Sequence, residues 1–276
     1  MSTGPIQQAF EDARRRRRTA IAPFLTIGYP TVDASLDAVK AVATAGADLV
    51  ELGIPFSDPL AEGPTIQMSS HHALGQGVTP AICIASAARL RADGLKIPLV
   101  FMGYYNPLMS YGLGRFCDAA AESGVNGLIV ADLPTEEAGP LRSAAEKRGL
   151  DLIPLLALTS PEPRIAAACR DGRGFVYCVS LLGVTGARAM FSARVRGLVE
   201  VVRRHTSLPV AVGFGISTAA HVKETGEFAD GVVVGSALID AMRDGPVESA
   251  PERAEAYIRG LALGAARPTG HRGQGS

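Results

Sequence analysis

The 276-residue sequence has no net charge at pH 7, only four cysteines and no long apolar run. Without an excess of Lys and Arg, nucleic acid is not expected as the main partner, because binding to its phosphates depends on positive charge. The cysteines form no CxxC pair, which predicts buried thiols in a reducing compartment. The N-terminus lacks an apolar signal segment, and no apolar run is long enough to span a bilayer. These absences predict a soluble cytoplasmic protein without a membrane partner.

The residues that are present follow one repeated pattern. Short apolar, β-branched runs alternate with longer Ala-rich segments of helical period, which predicts a parallel sheet covered by helices. Eight strands are predicted, at residues 21–27, 48–54, 98–104, 127–132, 152–158, 174–180, 209–213 and 231–236. Eight strand–helix units in about 250 residues predict an α/β fold, the (β/α)8 TIM barrel. A doubly wound open sheet is the alternative, and it is less favoured because no GxGxxG follows the first strand.

The two ends of the chain differ from this repeat. The segment "IQQAFEDARRRRRTA" predicts an extra N-terminal helix before the first strand, and its arginine run at residues 14–18 is interpreted as a solvated face rather than a site for an acidic partner. The C-terminal "GAARPTGHRGQGS" is rich in Gly and Arg without an apolar period, which is typical of disorder. We therefore predict one barrel domain over residues 1–265 and a disordered tail over residues 266–276.

One stretch, "LVELGIPFSDPLAEGPT" at residues 49–65, places a carboxylate inside a predicted buried strand. Glu51 is flanked there by apolar residues, and an unpaired ionised carboxylate in such a place costs several kcal/mol. Asp58 and Glu62 follow on the loop after the strand. A buried carboxylate with further acids just beyond it favours acid–base chemistry over a purely structural role.

Polar and glycine residues collect at the C-terminal ends of the predicted strands, where barrels of this kind place their chemistry. The sequences "GVTG", "GFG" and "GS" follow the last three strands. Glycine lets backbone N–H groups approach a ligand closely, and the loops after strands seven and eight are a frequent phosphate site in these barrels. Ordinary tight turns are the alternative. The shared position of the three favours a small phosphate ester as ligand.

These motifs together resemble one family. The segment "ELGIPFSDPLAEGPTIQ" resembles the signature of the tryptophan synthase alpha chain family, and "PFLTIGYP", "MGYYNP", "GLIVADLP", "GFVYCVSLLGVTG", "VGFGIS" and "GVVVGSALI" are similar to that family in the same order, over residues 7–265. The resemblance implies retro-aldol cleavage of indole-3-glycerol phosphate to indole and glyceraldehyde 3-phosphate, a lyase step of tryptophan biosynthesis. It implies neither a cofactor nor a metal in this chain. The adjacent His71 and His72 are not expected to bind a metal, because neighbouring residues of a helix point apart.

The resemblance also implies roles for individual residues. It assigns the acid–base role to Glu51 and the stabilisation of charge on the indole nitrogen to Glu62, with an active-site tyrosine at Tyr177. The remaining implied positions are the indole pocket at Phe24, Tyr104 and Ile129, the phosphate site at Gly186, Gly215, Gly235 and Ser236, and a loop-closing residue at Thr185. The alternatives are a solvent-exposed loop residue for Glu62 and core packing for Tyr177.

The chain departs from the family pattern at two positions. Glu62 stands in "AEG" where the family usually has Ala-Asp-Gly, so its carboxylate lies one methylene further from the backbone. Leu181 stands where the family often has a polar or basic residue. A misplacement of about 1 Å can cost roughly 100-fold in rate, so these departures bear on how well the chain catalyses rather than on its fold.

The family resemblance implies a partner, a pyridoxal-phosphate-dependent beta chain that receives indole in an alpha2beta2 heterotetramer. The rim residues Asp58, Pro59 and Asn106 match the contact region with that chain. Three functions therefore stay open. The chain is a working alpha chain bound to beta, a stand-alone lyase that releases indole, or a catalytically weakened alpha chain that acts mainly as an allosteric partner of beta.

Overall fold

The structure is a computed structural model, and it describes residues 4–179, 188–213 and 215–267. Within these residues the strands are β1 Ala20–Thr26, β2 Val50–Gly53, β3 Leu99–Gly103, β4 Gly127–Val130, β5 Asp151–Leu152, β6 Leu155–Ala157, β7 Val176–Val179, β8 Val210–Gly213 and β9 Gly231–Val234. The α-helices are α1 Pro5–Arg15, α2 Val32–Thr44, α3 Pro64–Gly75, α4 Pro80–Ala92, α5 Tyr105–Tyr111, α6 Leu113–Glu122, α7 Gly139–Glu146, α8 Glu162–Asp171, α9 Arg188–His205, α10 Ala219–Gly226, α11 Ser236–Arg243 and α12 Ala250–Ala262.

The strands form one parallel sheet in the order β5-β4-β3-β2-β1-β9-β8-β7-β6. The two ends of this order are joined through the short segment 151–157. The Ile153 N–H donates to the Leu128 carbonyl of β4, and the Tyr177 N–H of β7 donates to the Pro154 carbonyl. The sheet thereby curls into the (β/α)8 TIM barrel. The predicted fifth strand is split into β5 and β6 at Pro154, which has no N–H to donate to a neighbour.

The predicted fold is confirmed. Each predicted strand begins and ends within about two residues of the observed strand boundaries, which is the usual uncertainty in assigning the ends of an element. The extra N-terminal helix is also present, as α1. The four cysteines are buried and unpaired by disulfides. Of the predicted tail at residues 266–276, Ala266 forms a β-bridge with Arg18 and the Arg267 N–H donates to the Arg17 carbonyl. The residues from 268 onward lie outside the described residues, so the domain boundary stays a prediction. No helix in the described ranges is both long and apolar enough to cross a bilayer.

The N-terminal end of the barrel is closed by α1. Its side chains Ile6 and Phe10 are buried in the same apolar cluster as the barrel-lining Phe24, Val100 and Tyr177. The Phe10 ring lies with its centroid 5.2 Å from that of Phe175 on the barrel interior. Because this end is filled by apolar side chains, the opposite end, at the carboxyl ends of the strands, is the one left for a ligand.

Candidate active site

A cavity of about 750 Å³ opens at the carboxyl ends of the strands. Its wall combines residues from the strands β1, β2, β7, β8 and β9 with the loop before α3 and the N-terminus of α11. The residues that line it include Phe24, Glu51, Glu62, Ile66, Tyr177, Gly213, Gly215, Ser217, Gly235 and Ser236. The cavity therefore brings together residues that the sequence analysis assigned to catalysis, to the indole pocket and to the phosphate site.

Glu51 lies on β2 with its side chain inside the barrel. It is in register with Phe24 of β1 and Val100 of β3, and it has no exposed surface. Neither carboxyl oxygen has a hydrogen-bond partner in the described part of the chain. Burial raises the pKa of Glu51 well above its ordinary value of 4.5, and the nearby charge of Glu62 raises it further. A raised pKa favours the protonated acid, which is the form that can donate a proton to a substrate.

Glu62 lies on the loop between β2 and α3, and two side chains form hydrogen bonds to the backbone of this loop. The Ala61 N–H donates to the Tyr104 hydroxyl at 3.1 Å, and the Gln67 side-chain amide donates to the Glu62 carbonyl at 2.9 Å. The Glu62 side chain is half-buried in the cavity, and burial raises its pKa to about 7. A carboxylate held at the cavity wall with this pKa is ionised in an appreciable fraction of molecules near neutral pH.

Tyr177 lies on β7 and faces the same cavity. It is almost fully buried, and burial raises its pKa well above the ordinary value of 10.0, with the charges of Glu51 and Glu62 adding to the shift. The tyrosine is thus close enough to both carboxylates for their charges to act on it. At neutral pH the phenol stays protonated and is available as a hydrogen-bond donor.

Gly213 makes room for the Tyr177 ring, and the sequence analysis had not assigned it to the site. A Cβ at position 213 would lie 2.2 Å from the Tyr177 hydroxyl oxygen and 2.4 Å from a ring carbon. Gly53 does the same for Phe24, since a Cβ there would lie 2.5 Å from the end of that ring. The first glycine of "GFG" is the only sequence signal that points to Gly213.

Gly213→Ala should displace the Tyr177 ring and lower kcat/KM by about 10- to 100-fold, the cost of moving an active-site group by roughly 1 Å. Steady-state kinetics of the purified variant measures this effect. Gly197→Ala is the matched control, because a Cβ at that helical position meets nothing within 4 Å. Unchanged kinetics in Gly213→Ala would show that the position of Tyr177 does not matter for the reaction.

The three residues assigned to the indole pocket lie in different parts of the barrel and its cavities. Phe24 lines the main cavity, and a small adjoining cavity is bounded by Phe24, Glu62, Met102 and Tyr104. The Tyr104 ring also stacks on Phe56 at 5.1 Å between centroids. Ile129 is buried in the barrel cluster that contains Phe24 and Met102. Tyr104 thus has a second role that the sequence did not indicate, as the hydrogen-bond anchor of the Glu62 loop.

The residues assigned to phosphate lie at the end of the cavity formed by β8, β9 and α11. Gly215, Gly235 and Ser236 all line it, and α11 begins at Ser236. Among the described residues the wall carries no Lys or Arg, so an anion here would be bound by backbone N–H groups and the positive end of the helix. Gly186, Thr185 and Leu181 lie outside the described residues. The name phosphate cup is used below for Gly215, Gly235 and Ser236.

Comparison of the sequence with known proteins points to one family. The family model described as "Tryptophan synthase alpha chain" matches residues 10–263. The tryptophan synthase alpha chain of Chloroflexus aurantiacus is 49% identical over 263 residues, covering 95% of this chain and 99% of the relative. That of Roseiflexus sp. (strain RS-1) is 47% identical over 256 residues, covering 93% and 98%.

Solved structures are similar over nearly the whole chain. A structure of Mycobacterium tuberculosis tryptophan synthase aligns with a TM-score of 0.88 at 36% identity, covering 97% of this chain and 100% of that one. The tryptophan synthase alpha chain of Legionella pneumophila subsp. pneumophila aligns with a TM-score of 0.85 at 30% identity, covering 95% and 97%. The sequence and structure comparisons therefore point to the same family.

Proposed function

The chain belongs to the tryptophan synthase alpha chain family, whose members are lyases of tryptophan biosynthesis, and on that basis we propose how its cavity cleaves indole-3-glycerol phosphate. The observation that carries the proposal is the buried Glu51 carboxyl, which has no hydrogen-bond partner among the described residues and lies beside Glu62 and Tyr177. Such a group costs stability. Its retention is explained if the substrate supplies the missing partner.

The first step is protonation of indole C3 by the Glu51 carboxyl. The ring then becomes a C2=N iminium, which draws the electrons of the bond between C3 and the glycerol carbon. Glu62 as a carboxylate accepts the indole N–H and stabilises the positive charge that develops there. A half-buried carboxylate with a pKa of about 7 is suited to this role, because part of the population is already ionised near neutral pH.

The second step is cleavage of that bond. Its electrons restore the neutral indole, the hydroxyl on the former glycerol carbon becomes the aldehyde oxygen, and its proton passes to the Glu51 carboxylate left by the first step. Glu51 is thereby returned to its acid form, so one carboxyl acts as acid and then as base. These groups supply each proton and charge of the reaction, so we propose that this chain uses neither a metal nor a cofactor.

The phosphate cup holds the other end of the substrate in this proposal. Gly235→Val would place a Cβ 3.3 Å from the Ile66 Cδ1 atom and 3.6 Å from the Phe24 side chain, and its two methyl groups would add bulk at a position that lines the cavity. We expect KM to rise by about 10-fold or more with kcat little changed, because binding of substrate and transition state is weakened equally. Steady-state kinetics with indole-3-glycerol phosphate measures the effect, and an unchanged KM would contradict the cup.

A pyridoxal-phosphate-dependent beta chain is the proposed partner, in a cytoplasmic alpha2beta2 complex. Two large apolar side chains on the segments that follow β2 and β3 support a binding surface there, Leu60 at 90% exposure and Met109 at 55%. Asp58 and Asn106 are exposed close to them in the chain, whereas Pro59 is buried. Since β2 and β3 are neighbours in the sheet, both side chains follow the carboxyl ends of adjacent strands, and a patch of exposed apolar side chains is typical of an interaction site. The buried, reduced cysteines agree with the cytoplasm.

A second candidate function is supported by one observation, the replacement of the usual aspartate by Glu62. In this alternative the chain is a weakened enzyme that mainly activates beta. The test is a steady-state assay of indole formation with and without the beta chain, together with size-exclusion chromatography of the mixture. Turnover by the complex supports the working alpha chain. Indole release without complex formation supports a stand-alone lyase, and complex formation with no indole release supports the allosteric role.

A further inference from the structure

The turn at residues 215–217 joins β8 to α10 and forms part of the cavity wall. Gly215, Ile216 and Ser217 all line the cavity on the side of Gly235 and Ser236. Gly215 has a φ of +51°, a left-handed backbone conformation that glycine adopts readily. Only Gly215 of this turn was assigned to the phosphate site from the sequence. Ser217 and Ser236 are the two residues on this side of the described wall that carry a side-chain hydroxyl.

His221 on α10 reaches back to this turn through its Nδ1 atom. Its Nδ1 lies 3.1 Å from the Gly215 carbonyl oxygen, 3.2 Å from the Ser217 amide nitrogen and 3.3 Å from the Ser217 hydroxyl oxygen. An unprotonated Nδ1 accepts the Ser217 N–H, and a protonated Nδ1 donates to the Gly215 carbonyl. The ring therefore ties the turn to α10 in either tautomer.

Tyr257 on α12 holds the other side of the same residue. Its hydroxyl donates to the Ser217 carbonyl at 2.9 Å. When the His221 Nδ1 is unprotonated, the Ser217 backbone is thus bonded at its N–H by one helix and at its carbonyl by another. The Ser217 hydroxyl, by contrast, has a contact of 3.3 Å with the His221 Nδ1 atom, longer than the 2.9–3.0 Å that is usual between a nitrogen and an oxygen. A weakly bonded hydroxyl on a fixed backbone is ready to turn toward a ligand.

We propose that Ser217 is a further phosphate-binding residue and that His221 and Tyr257 are positioning residues that hold its turn. The proposal rests on the proposed function, since it assigns the ligand of this wall to the phosphate monoester of the substrate. The Ser217 hydroxyl donates to a phosphate oxygen and gives up its long contact with His221. Meanwhile His221 and Tyr257 keep the 215–217 turn in the conformation that the anion requires.

The competing explanation is that His221 only caps α10. Thr218 is the N-cap of this helix, and its hydroxyl accepts the His221 backbone N–H at 3.3 Å. A residue at this position of a helix often bonds back to the segment before the cap. Capping alone predicts a loss of thermal stability without a specific loss of phosphate affinity. Thr218→Ala removes the cap and leaves the His221 side chain in place, so it is the matched control.

The test uses the full chain and measures kcat and KM for indole-3-glycerol phosphate, Kd for glycerol 3-phosphate by calorimetry, and Tm. Ser217→Ala should raise KM and Kd by about 10-fold with kcat within about twofold, as expected for one hydrogen bond to a charged group. His221→Ala should raise both constants by about 5-fold or more, and His221→Asn, which restores a polar atom at the Nδ1 position, should recover most of the loss. Tyr257→Phe should act in the same direction. Thr218→Ala should lower Tm and leave KM unchanged.

Two results would overturn the inference. The first is that both Ser217→Ala and His221→Ala keep KM and Kd within about twofold of wild type. A change that small is less than the loss of one hydrogen bond to a charged group would cause. The second is a rise in KM for Thr218→Ala as large as that for His221→Ala. The Gly235→Val variant separates a failure of this inference from a failure of the proposed function. If it raises Kd for glycerol 3-phosphate while the Ser217 and His221 variants do not, the phosphate cup stands and the inference falls. If the wild-type chain does not bind glycerol 3-phosphate, the cup itself is wrong.

Discussion

Glu51→Gln should lower the turnover of indole-3-glycerol phosphate by about 100-fold or more, the range expected for loss of a general acid–base group. The amide has nearly the same shape, but it can neither donate a proton to indole C3 nor take one from the hydroxyl. Since Glu51 is fully buried without a hydrogen-bond partner among the described residues, the substitution removes no hydrogen bond that holds the fold. KM should stay close to the wild-type value, because the phosphate end of the substrate is bound elsewhere.

Thermal unfolding provides the control for this prediction. The folded-state pKa of Glu51 lies well above the ordinary value of 4.5, so the folded chain binds more protons than the unfolded chain between these two values. Stability of the wild-type chain therefore falls as pH rises through that window. Gln does not titrate, so the Tm of Glu51→Gln relative to wild type should increase as the pH rises above the ordinary carboxyl pKa of 4.5. A variant that keeps more than about a tenth of wild-type turnover would remove Glu51 from the acid–base role.

Glu62→Ala should lower kcat by about 100- to 1,000-fold, the usual cost of deleting a preorganised group that faces developing charge. Glu62→Asp is the more informative change. In the structure the Glu62 side chain lines the same cavity as Glu51 and Tyr177, on a loop held by the Tyr104 hydroxyl and the Gln67 amide. If this held loop positions glutamate for the reaction, a side chain shorter by one methylene falls short of the indole N–H. We expect Glu62→Asp to lower kcat by about 10- to 100-fold.

The sign of the Glu62→Asp effect separates a retuned enzyme from a weakened one. A fall in kcat supports a loop that positions glutamate, and a rise would show that the longer side chain overshoots its target. Gln67→Leu serves as a loop control, because it removes the bond to the Glu62 carbonyl without changing the carboxylate. If Ala and Asp at position 62 both leave kcat within about twofold, far below the cost of losing a preorganised group, Glu62 has no catalytic role.

Much of the fold could be read from the sequence because its signals are local. Apolar, β-branched runs that alternate with Ala-rich helical segments predicted eight parallel strands, and α1 was visible as a helical segment before the first of them. The positions of Glu51 within a strand and of Gly215 and Gly235 just after two others followed from the same pattern. The carboxyl ends of parallel strands meet at one end of a barrel, so a shared cavity was predictable before any contact was known.

The finer structure of the site depended on residues far apart in the chain. Pro154 splits the fifth strand because its missing N–H matters only once β4 and β7 lie on either side of it. The Tyr104 hydroxyl bonds to Ala61, 43 residues away, which makes an expected pocket residue the anchor of a loop. The space that Gly213 leaves for Tyr177 likewise exists only after β7 and β8 pair.

The sequence by itself determined the barrel, the buried carboxylate on β2 and the glycines after β8 and β9. The tertiary structure decided that Glu51 lacks a partner among the described residues, that Glu62 reaches the cavity, and that Ser217 is held between His221 and Tyr257. The reason is physical. Hydrophobic period and turn chemistry act between near neighbours in the chain, whereas hydrogen bonds and steric fit in the site require side chains from several elements to be packed at distances of a few ångströms.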